Sequence, residues 1–422
     1  VRLLILNQFF FPDHSATSQL MTDLAESLVE SGVGVTALAG RGSYNGGGKL
    51  SAKEEHNGVV IERTWTSGLG KRFLIARLAD YFSFYLGASW KLLILQRHDL
   101  VMVLTTPPLI SLPALLICRL RGMKLISLVQ DIYPDVAVAL GALCRDSLFT
   151  NTLDRVNTAV LKRSDRIVVL GECMRERIAA KIGSDRANCI DVIHNWADGN
   201  RIAPLNPGER NPFAEEQGTA GRFVVLFSGN LGRVNDFATI LQAALLLRSR
   251  PVLFLFIGDG AKRGEISTFV NRHNLSNVRV MPYQPRESLS FSLAAGNAHL
   301  VTLSDGLAGL SVPSKSYGIL AAGRPIIFVG DLHSDIVRLI SENGCGAVVP
   351  EGDVTGLTSI IAEWAADKEL VTQMGLRARE LFEQRFDRSH AVAAYMTTFK
   401  RTLGKTARAD NSAPITPQPP QP

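Results

Sequence analysis

What this chain of 422 residues lacks narrows its chemistry at once. Its five cysteines (Cys118, Cys144, Cys173, Cys189, Cys345) are scattered and never form a CxxC pair. Neither a disulfide framework nor a zinc ribbon is supported, and a reducing compartment fits. No two of the eight histidines stand at i, i+3 or i, i+4, so no helix carries a paired-histidine metal site. No DxD occurs, which argues against a carboxylate-held divalent cation bridging a nucleotide diphosphate. No GxGxxG follows the first strand of either half and no GxxxxGK[ST] occurs, which weakens dinucleotide-oxidoreductase and P-loop readings. A membrane-spanning helix needs ~20 apolar residues. The best run, Leu109–Cys118, has ten and includes Pro113. Leu3–Leu6, interrupted by Asn7 and Gln8, reads as a strand and not as a signal peptide.

What is present is a globular composition, 46% hydrophobic and 20% charged. The net charge of +6 is mild for the length and does not suggest a nucleic-acid binder. Short apolar runs alternate with helical patterns over most of the chain. Strands are expected at Arg2–Leu6, Val33–Leu38, Val59–Arg63, Leu100–Leu104, Lys124–Val129, Arg166–Leu170 and Ile190–Ile193. After a stretch rich in Pro, Gly, Asn and charge they resume at Phe223–Phe227, Val252–Ile257, Val278–Met281, His299–Thr302, Pro325–Val329 and Gly346–Val349. Continuous apolar strands between helices indicate parallel sheets covered on both faces, an α/β protein of two Rossmann-like domains facing a cleft. The expected division is 1–196, a linker 197–221, a second domain 222–386, a C-terminal helix 387–404 that crosses back to the first domain, and a disordered tail 405–422 with five prolines in its last nine residues.

Ligands of such sheets bind at the carboxyl ends of strands. One candidate is Phe227-Ser228-Gly229-Asn230-Leu231-Gly232-Arg233, where glycine lets backbone N–H groups approach an anion and Arg233 offers a two-pronged fork to phosphate. The alternative is a βα turn that uses glycine only for tightness. A second candidate is the loop Asp305 to Gly318, in which Pro313-Ser314-Lys315 opens a helix with Ser314 as N-cap. A lysine in a first helical turn opposes the dipole, a penalty that a bound diphosphate would reverse; an ordinary exposed lysine is the alternative. Gly258-Asp259-Gly260 is a third loop, with capping of the next helix as the alternative role for its aspartate. Asp131 and Asp135 follow a strand of the first half and are expected to face the cleft. His14, in the entry loop Phe9–Thr17, is placed for catalysis or for capping.

In order and spacing these segments resemble family 4 glycosyltransferases of the GT-B fold, from residue 1 to about 400. The likeness is greatest to the bacterial capsule, O-antigen and colanic-acid branch. It is carried by Phe11-Pro12, Val129–Asp135 with Ala139-Leu140-Gly141, Ile193–Asp198, Ser228–Arg233, Ile257–Gly260, Leu310–Lys315 with Tyr317, and Ala321–Pro325. The resemblance implies an acceptor in the first lobe and a UDP- or GDP-linked sugar in the second. Gly229, Asn230 and Arg233 would hold its diphosphate beside Pro313, Ser314 and Lys315; Gly258, Asp259 and Tyr283 would lie near the base. Arg233, Lys315, Asp131 and His14 would carry catalysis, with retention of configuration, no divalent metal and no other cofactor. Two glutamates common in the family fall here at Leu310 and Gly318, so Asp305 or backbone groups must meet sugar and ribose. The usual His-Asp pair reads Gln130-Asp131, and Asn235-Asp236 stand where a lysine is usual, leaving Lys315 as the second cation. The alternatives are a nucleotide-sugar 2-epimerase of the same architecture and a non-catalytic nucleotide-sugar-binding paralogue.

Residues 63–124 hold nine basic and two acidic residues and seven of the 30 aromatics. A helix over Phe73–Leu95 would place Arg77, Asp80, Phe84 and Lys91 on one arc and Ile75, Leu78, Phe82, Leu86 and Leu93 opposite. This is either a core-facing amphipathic helix with a solvated charged face, or a docking element for an anionic membrane. The second reading, with a polyprenyl-diphosphate-linked saccharide acceptor, implies a cytoplasmic protein peripheral to the inner membrane face.

Overall fold

The computed structural model describes residues 1–13, 15–42, 50–67, 74–206 and 208–404, excepting the side chains of residues 74, 75 and 77. His14 and the segment 405–422 lie outside the described residues. The first sheet comprises β1 (Arg2–Leu6), β2 (Gly34–Gly40), β3 (Lys53–His56), β4 (Val59–Thr64), β5 (Leu100–Leu104), β6 (Lys124–Leu128), β7 (Arg166–Val169) and β8 (Ile190–Val192). The second comprises β9 (Phe223–Ser228), β10 (Val252–Ile257), β11 (Val278–Met281), β12 (Ala298–Leu303), β13 (Ile326–Gly330) and β14 (Gly346–Val349). Their orders are β3-β4-β2-β1-β5-β6-β7-β8 and β11-β10-β9-β12-β13-β14. All pairs are parallel except β3–β4. β3, of sequence KEEH, has no apolar run to betray it; its charge suits a sheet edge, where it discourages pairing with another chain.

Each sheet is buried on both faces, and one continuous apolar core runs through both lobes. It joins Ile5, Ile126 and Val168 of the first sheet to Leu226 and Leu255 of the second through Trp196, Ile202, Phe213, Tyr317 and Phe386. The segment 197–221 takes part in this packing: Ile202 and Phe213 are buried, and a short helix, Pro212–Glu216, is capped by Asn211, which accepts from Ala214 N at 3.1 Å. The helix Arg388–Thr402 lies against the first lobe, where Thr398 donates to Asp191 of β8 at 3.0 Å and Tyr395 meets Trp196 edge-on. Polar links complete the seam. Ile132 N donates to Leu310 O at 3.0 Å, Cys173 N to the Asp335 carboxylate at 3.2 Å, and Arg286 grips both oxygens of Asp23 at 2.8 and 2.9 Å.

The helix Leu74–Ile94 overturns the core-facing reading of its apolar side. Phe84, Ala88 and Leu92 are buried, and the polar residues beside them are used internally. Lys91 pairs with Glu62 at 2.8 Å and Asp80 accepts from the Ser67 hydroxyl. Burial works against the Glu62 carboxylate, yet Lys91 and Lys53 hold its pKa below the ordinary value. Leu78, Phe82, Leu86, Trp90 and Ile94, spaced four residues apart, face outward. Polar groups on β4 and in the loop after it outcompete solvent for the charged arc, which turns the apolar stripe away from the core. Phe84→Ala should therefore cost about 3–5 kcal/mol of stability, whereas Phe82→Ala, at a side chain 64% exposed, should stay within about 0.5 kcal/mol. Paired denaturant titrations check this, and equal losses would reverse the orientation.

Candidate functional site

The carboxyl end of β9 runs into Gly229, whose N–H donates to Ile257 O at 2.9 Å while its φ of +142° excludes most side chains. Gly258, at φ +149° after β10, is tighter still: a Cβ there would stand 1.9 Å from Gly229 O. Two strand ends thus meet backbone to backbone. Leu231 N donates to Asp259 O at 2.9 Å, and Lys262 N returns to Leu231 O at 2.9 Å. Asn235, 3% exposed, donates from Nδ2 to Asn230 O and Gly232 O at 3.1 and 3.2 Å, which fixes the loop in front of Arg233.

Cations gather around this loop. The stem of Lys315 passes 3.6 Å from the position a Cβ would take on Gly229. Its Nζ lies 3.6 Å from the centroid of the Phe227 ring and donates to Asn235 Oδ1 at 3.4 Å. With no carboxylate beside it, burial pushes its pKa from 10.5 down to about 7. Arg233 is exposed on the wall of a cleft of about 390 Å³ with Lys262, Glu265, Ser304 and Asp305. Ala139 and Leu140 close the cleft from the first lobe. Among the described residues, neither Arg233 nor Lys315 forms an ion pair with a carboxylate. The arrangement is a glycine loop at a strand end with Lys315 packed against it and Arg233 on the cleft wall beside it, groups chemically suited to an anion.

The chain matches the Glycosyl transferase 4-like domain over residues 17–196 and the Glycosyl transferases group 1 domain over residues 210–381. It is 32% identical over 292 residues to WbjE of Pseudomonas aeruginosa, named as a glycosyltransferase, covering 69% of this chain and 72% of that one. The chain is a member of this glycosyltransferase family. WcaI of Escherichia coli K12, named as a colanic acid biosynthesis glycosyl transferase, is 22% identical over 77% of this chain and 80% of its own. The crystal structure of Anabaena HepE in complex with UDP and glucose superposes with a TM-score of 0.72 at 16% identity, over 95% of this chain and 99% of that one. The fold is GT-B.

In this glycosyltransferase the sequence candidates part company. Gly229, Asn230, Arg233, Gly258, Asp259 and Lys315 converge on the second-lobe loop, and Asp305 lines the cleft with its N–H bound to Glu351 Oε2 at 2.8 Å. Asp259 caps its own turn: it accepts from Gly260 N at 2.8 Å and lies 3.6 Å from Arg263. Tyr283, 55% exposed, donates to Asp259 O at 3.4 Å. Asp131 pairs with Ser311 across the seam, where burial raises its pKa and the Ser311 hydroxyl opposes that rise. Asp135 does not face the cleft, because Lys181 takes it at 2.9 Å. Ser314 is no N-cap: it is already in the α region, its side chain makes no capping bond, and it is Ser316 that donates to Pro313 O at 2.9 Å.

The positions of the two absent glutamates are structural here. Leu310 is buried with its carbonyl given to Ile132, and a side chain on Gly318 would meet Ile202 and Leu293 at 3.8 Å. Glu351, which the sequence reading missed, meets the cleft residue Asp305 from the loop after β14. Burial raises its pKa, opposed by the Asp305 N–H and reinforced by Asp236 and Asp305. Lys262 was also missed, although it stands two residues after the Gly258-Asp259-Gly260 turn.

The depressed Lys315 pKa has a signed consequence. Between about 7 and 10.5 the unfolded chain holds a proton on this amine that the folded chain does not. Stability therefore rises with pH across that window. The stability of wild type minus that of Lys315→Met should climb from pH 7 to 10; a flat difference in urea titrations would contradict the burial of the amine.

Proposed function

We propose that this glycosyltransferase moves a sugar from a UDP- or GDP-linked donor to a lipid-linked saccharide in bacterial surface polysaccharide synthesis, with retention and without a divalent metal. The observation that carries the reading is the pair of carboxylate-free cations, Arg233 and Lys315, around the loop at Gly229. Breaking the bond between the anomeric carbon and the donor phosphate leaves charge on the departing diphosphate. Fixed cations placed there stabilise that charge with no reorganisation. WcaI's name supports a polysaccharide product, and HepE's complex with UDP supports a nucleotide-linked donor. Asp131, anchored on Ser311, serves here to hold the lobes together beside the reacting centre. Leu310 and Gly318 favour one competing reading, a nucleotide-sugar binder without turnover.

A thermal-shift screen of UDP-, GDP-, ADP- and TDP-linked sugars identifies the donor, and failure of every one to shift melting would defeat the assignment. With the donor in hand, labelled sugar should pass to acceptor and Arg233→Ala should lower the rate about 10²–10³-fold. Binding without transfer would support the silent reading, and an epimer formed with no acceptor would make the chain an epimerase. Because diphosphate favours the ammonium form of Lys315, donor affinity should fall as pH rises above about 7.

The outward stripe Leu78, Phe82, Leu86, Trp90 and Ile94, joined by Leu116 and Leu120 of the neighbouring helix Ser111–Arg121, supports docking of the acceptor lobe on an anionic membrane. Exposed Arg119 and Arg97 supply charge of the matching sign. No helix among the described residues is long and apolar enough to cross a bilayer. The full chain should sediment with vesicles containing anionic lipid at low salt, and Phe82→Ser with Trp90→Ser should release it; absence of wild-type binding would end this reading.

A further inference from the structure

The donor-phosphate reading leaves one cation of the cleft without a task. Lys262 stands just before the helix Arg263–His273 and lines the cleft with Arg233. Its Nζ donates to Asn235 O at 2.7 Å, and among the described residues it forms no ion pair with a carboxylate. Lys315 donates to the side-chain oxygen of the same residue at 3.4 Å. Asn235 thus gives its Nδ2 hydrogens to the carbonyls of Asn230 and Gly232 and receives one lysine on each of its oxygens. Two lysines far apart in sequence end on one buried amide residue at the base of the glycine loop.

We propose that Lys262 is a further diphosphate-binding cation of the donor site, and that Asn235 is the positioning residue that holds it and Lys315 against the 229–233 loop. The proposal rests on the donor reading and adds to it a residue from the turn after β10. Gathering two ammonium groups and a guanidinium is unfavourable unless an anion joins them. The cleft that Lys262 lines also holds Asp305 and Glu265, and Glu351 feels the charges of Lys262, Asp236 and Asp305. Burial raises the Glu351 pKa, and among the described residues none of these acids comes within ion-pair distance of Lys262, Lys315 or Arg233. Around Lys315 the packed groups are Phe227, Gly229 and Asn235, none of them charged. A ligand with several phosphate oxygens meets all three cations at once, whereas a nucleoside alone meets none of them.

Calorimetry on the full chain tests this with UDP, GDP, ADP and TDP, with the four matching nucleosides, and with inorganic pyrophosphate as competitor. Lys262→Met should weaken the diphosphate that binds about tenfold or more, leave the matching nucleoside and the melting temperature of the free protein unchanged, and weaken pyrophosphate competition in parallel. Lys262→Arg should restore most of the loss. Asn235→Asp places a carboxylate beside Lys315 and should move the decline in diphosphate affinity to higher pH. Wild-type diphosphate affinity in Lys262→Met, or equal losses for nucleoside and diphosphate, would overturn the role of Lys262. An unchanged pH profile in Asn235→Asp would overturn that of Asn235. If the wild-type chain binds none of the four diphosphates, the donor reading itself fails and takes this proposal with it.

Discussion

The approach of the Gly258 backbone to the Gly229 carbonyl is the constraint on which the site depends. The space left there would put a Cβ 1.9 Å from an oxygen, so no other residue fits without moving a strand end. Where two parallel strands finish this close together, the residues at the point of closest approach, Gly229 and Gly258, carry no side chain. Charged groups reach this point from neighbouring positions. Arg233 does so from the loop itself, Lys315 from the helix after β12, and Lys262 from the turn after β10. Asn235 holds the loop in shape with an amide that has almost no exposure, where an unpaired polar group would be costly.

The second dependence is between the lobes. The loop carrying Leu310 and Ser311 is hydrogen-bonded to Ile132 and Asp131 of the first lobe, and Asp23 holds Arg286 at another point of the seam. One apolar core passes through the junction, from Trp196 to Phe386. The cleft is therefore a property of the assembled molecule: its walls are Ala139 and Leu140 on one side and Arg233 and Asp305 on the other. Leu310 and Gly318 serve the seam and the core here, while Asp305 lines the cleft with its N–H bound to Glu351.

The apolar stripe on the helix Leu74–Ile94 is a third consequence of local chemistry. A buried carboxylate at Glu62 needs a cation, and Lys91 can supply it only if the helix turns its polar arc inward. That rotation leaves a line of large apolar side chains in solvent, an arrangement that ordinary surfaces avoid. It belongs to the lobe that receives the acceptor in the proposed reaction.

Much of the architecture was legible in the residues because it follows from periodicity. Uninterrupted apolar runs such as Val252–Ile257 make strands buried on both faces, and the described strand ends fall within two residues of the runs that marked them. The glycine loop, Arg233 and Lys315 could be read because backbone conformation and charge are properties of single residues. β3 escaped because it has no apolar signal, and Ser314 was misread as a cap because the conformation of one residue before a short helix is set by its neighbours. The direction of the Phe82 stripe, the capture of Asp135 by Lys181 and the meeting of Lys262 with Lys315 on Asn235 depend on partners 27 to 80 residues away. The sequence by itself determined the two sheets and the chemistry available at their ends. The tertiary structure alone decided which of those groups share a cleft, because ion pairs and close contacts are made between elements whose separation no local pattern encodes.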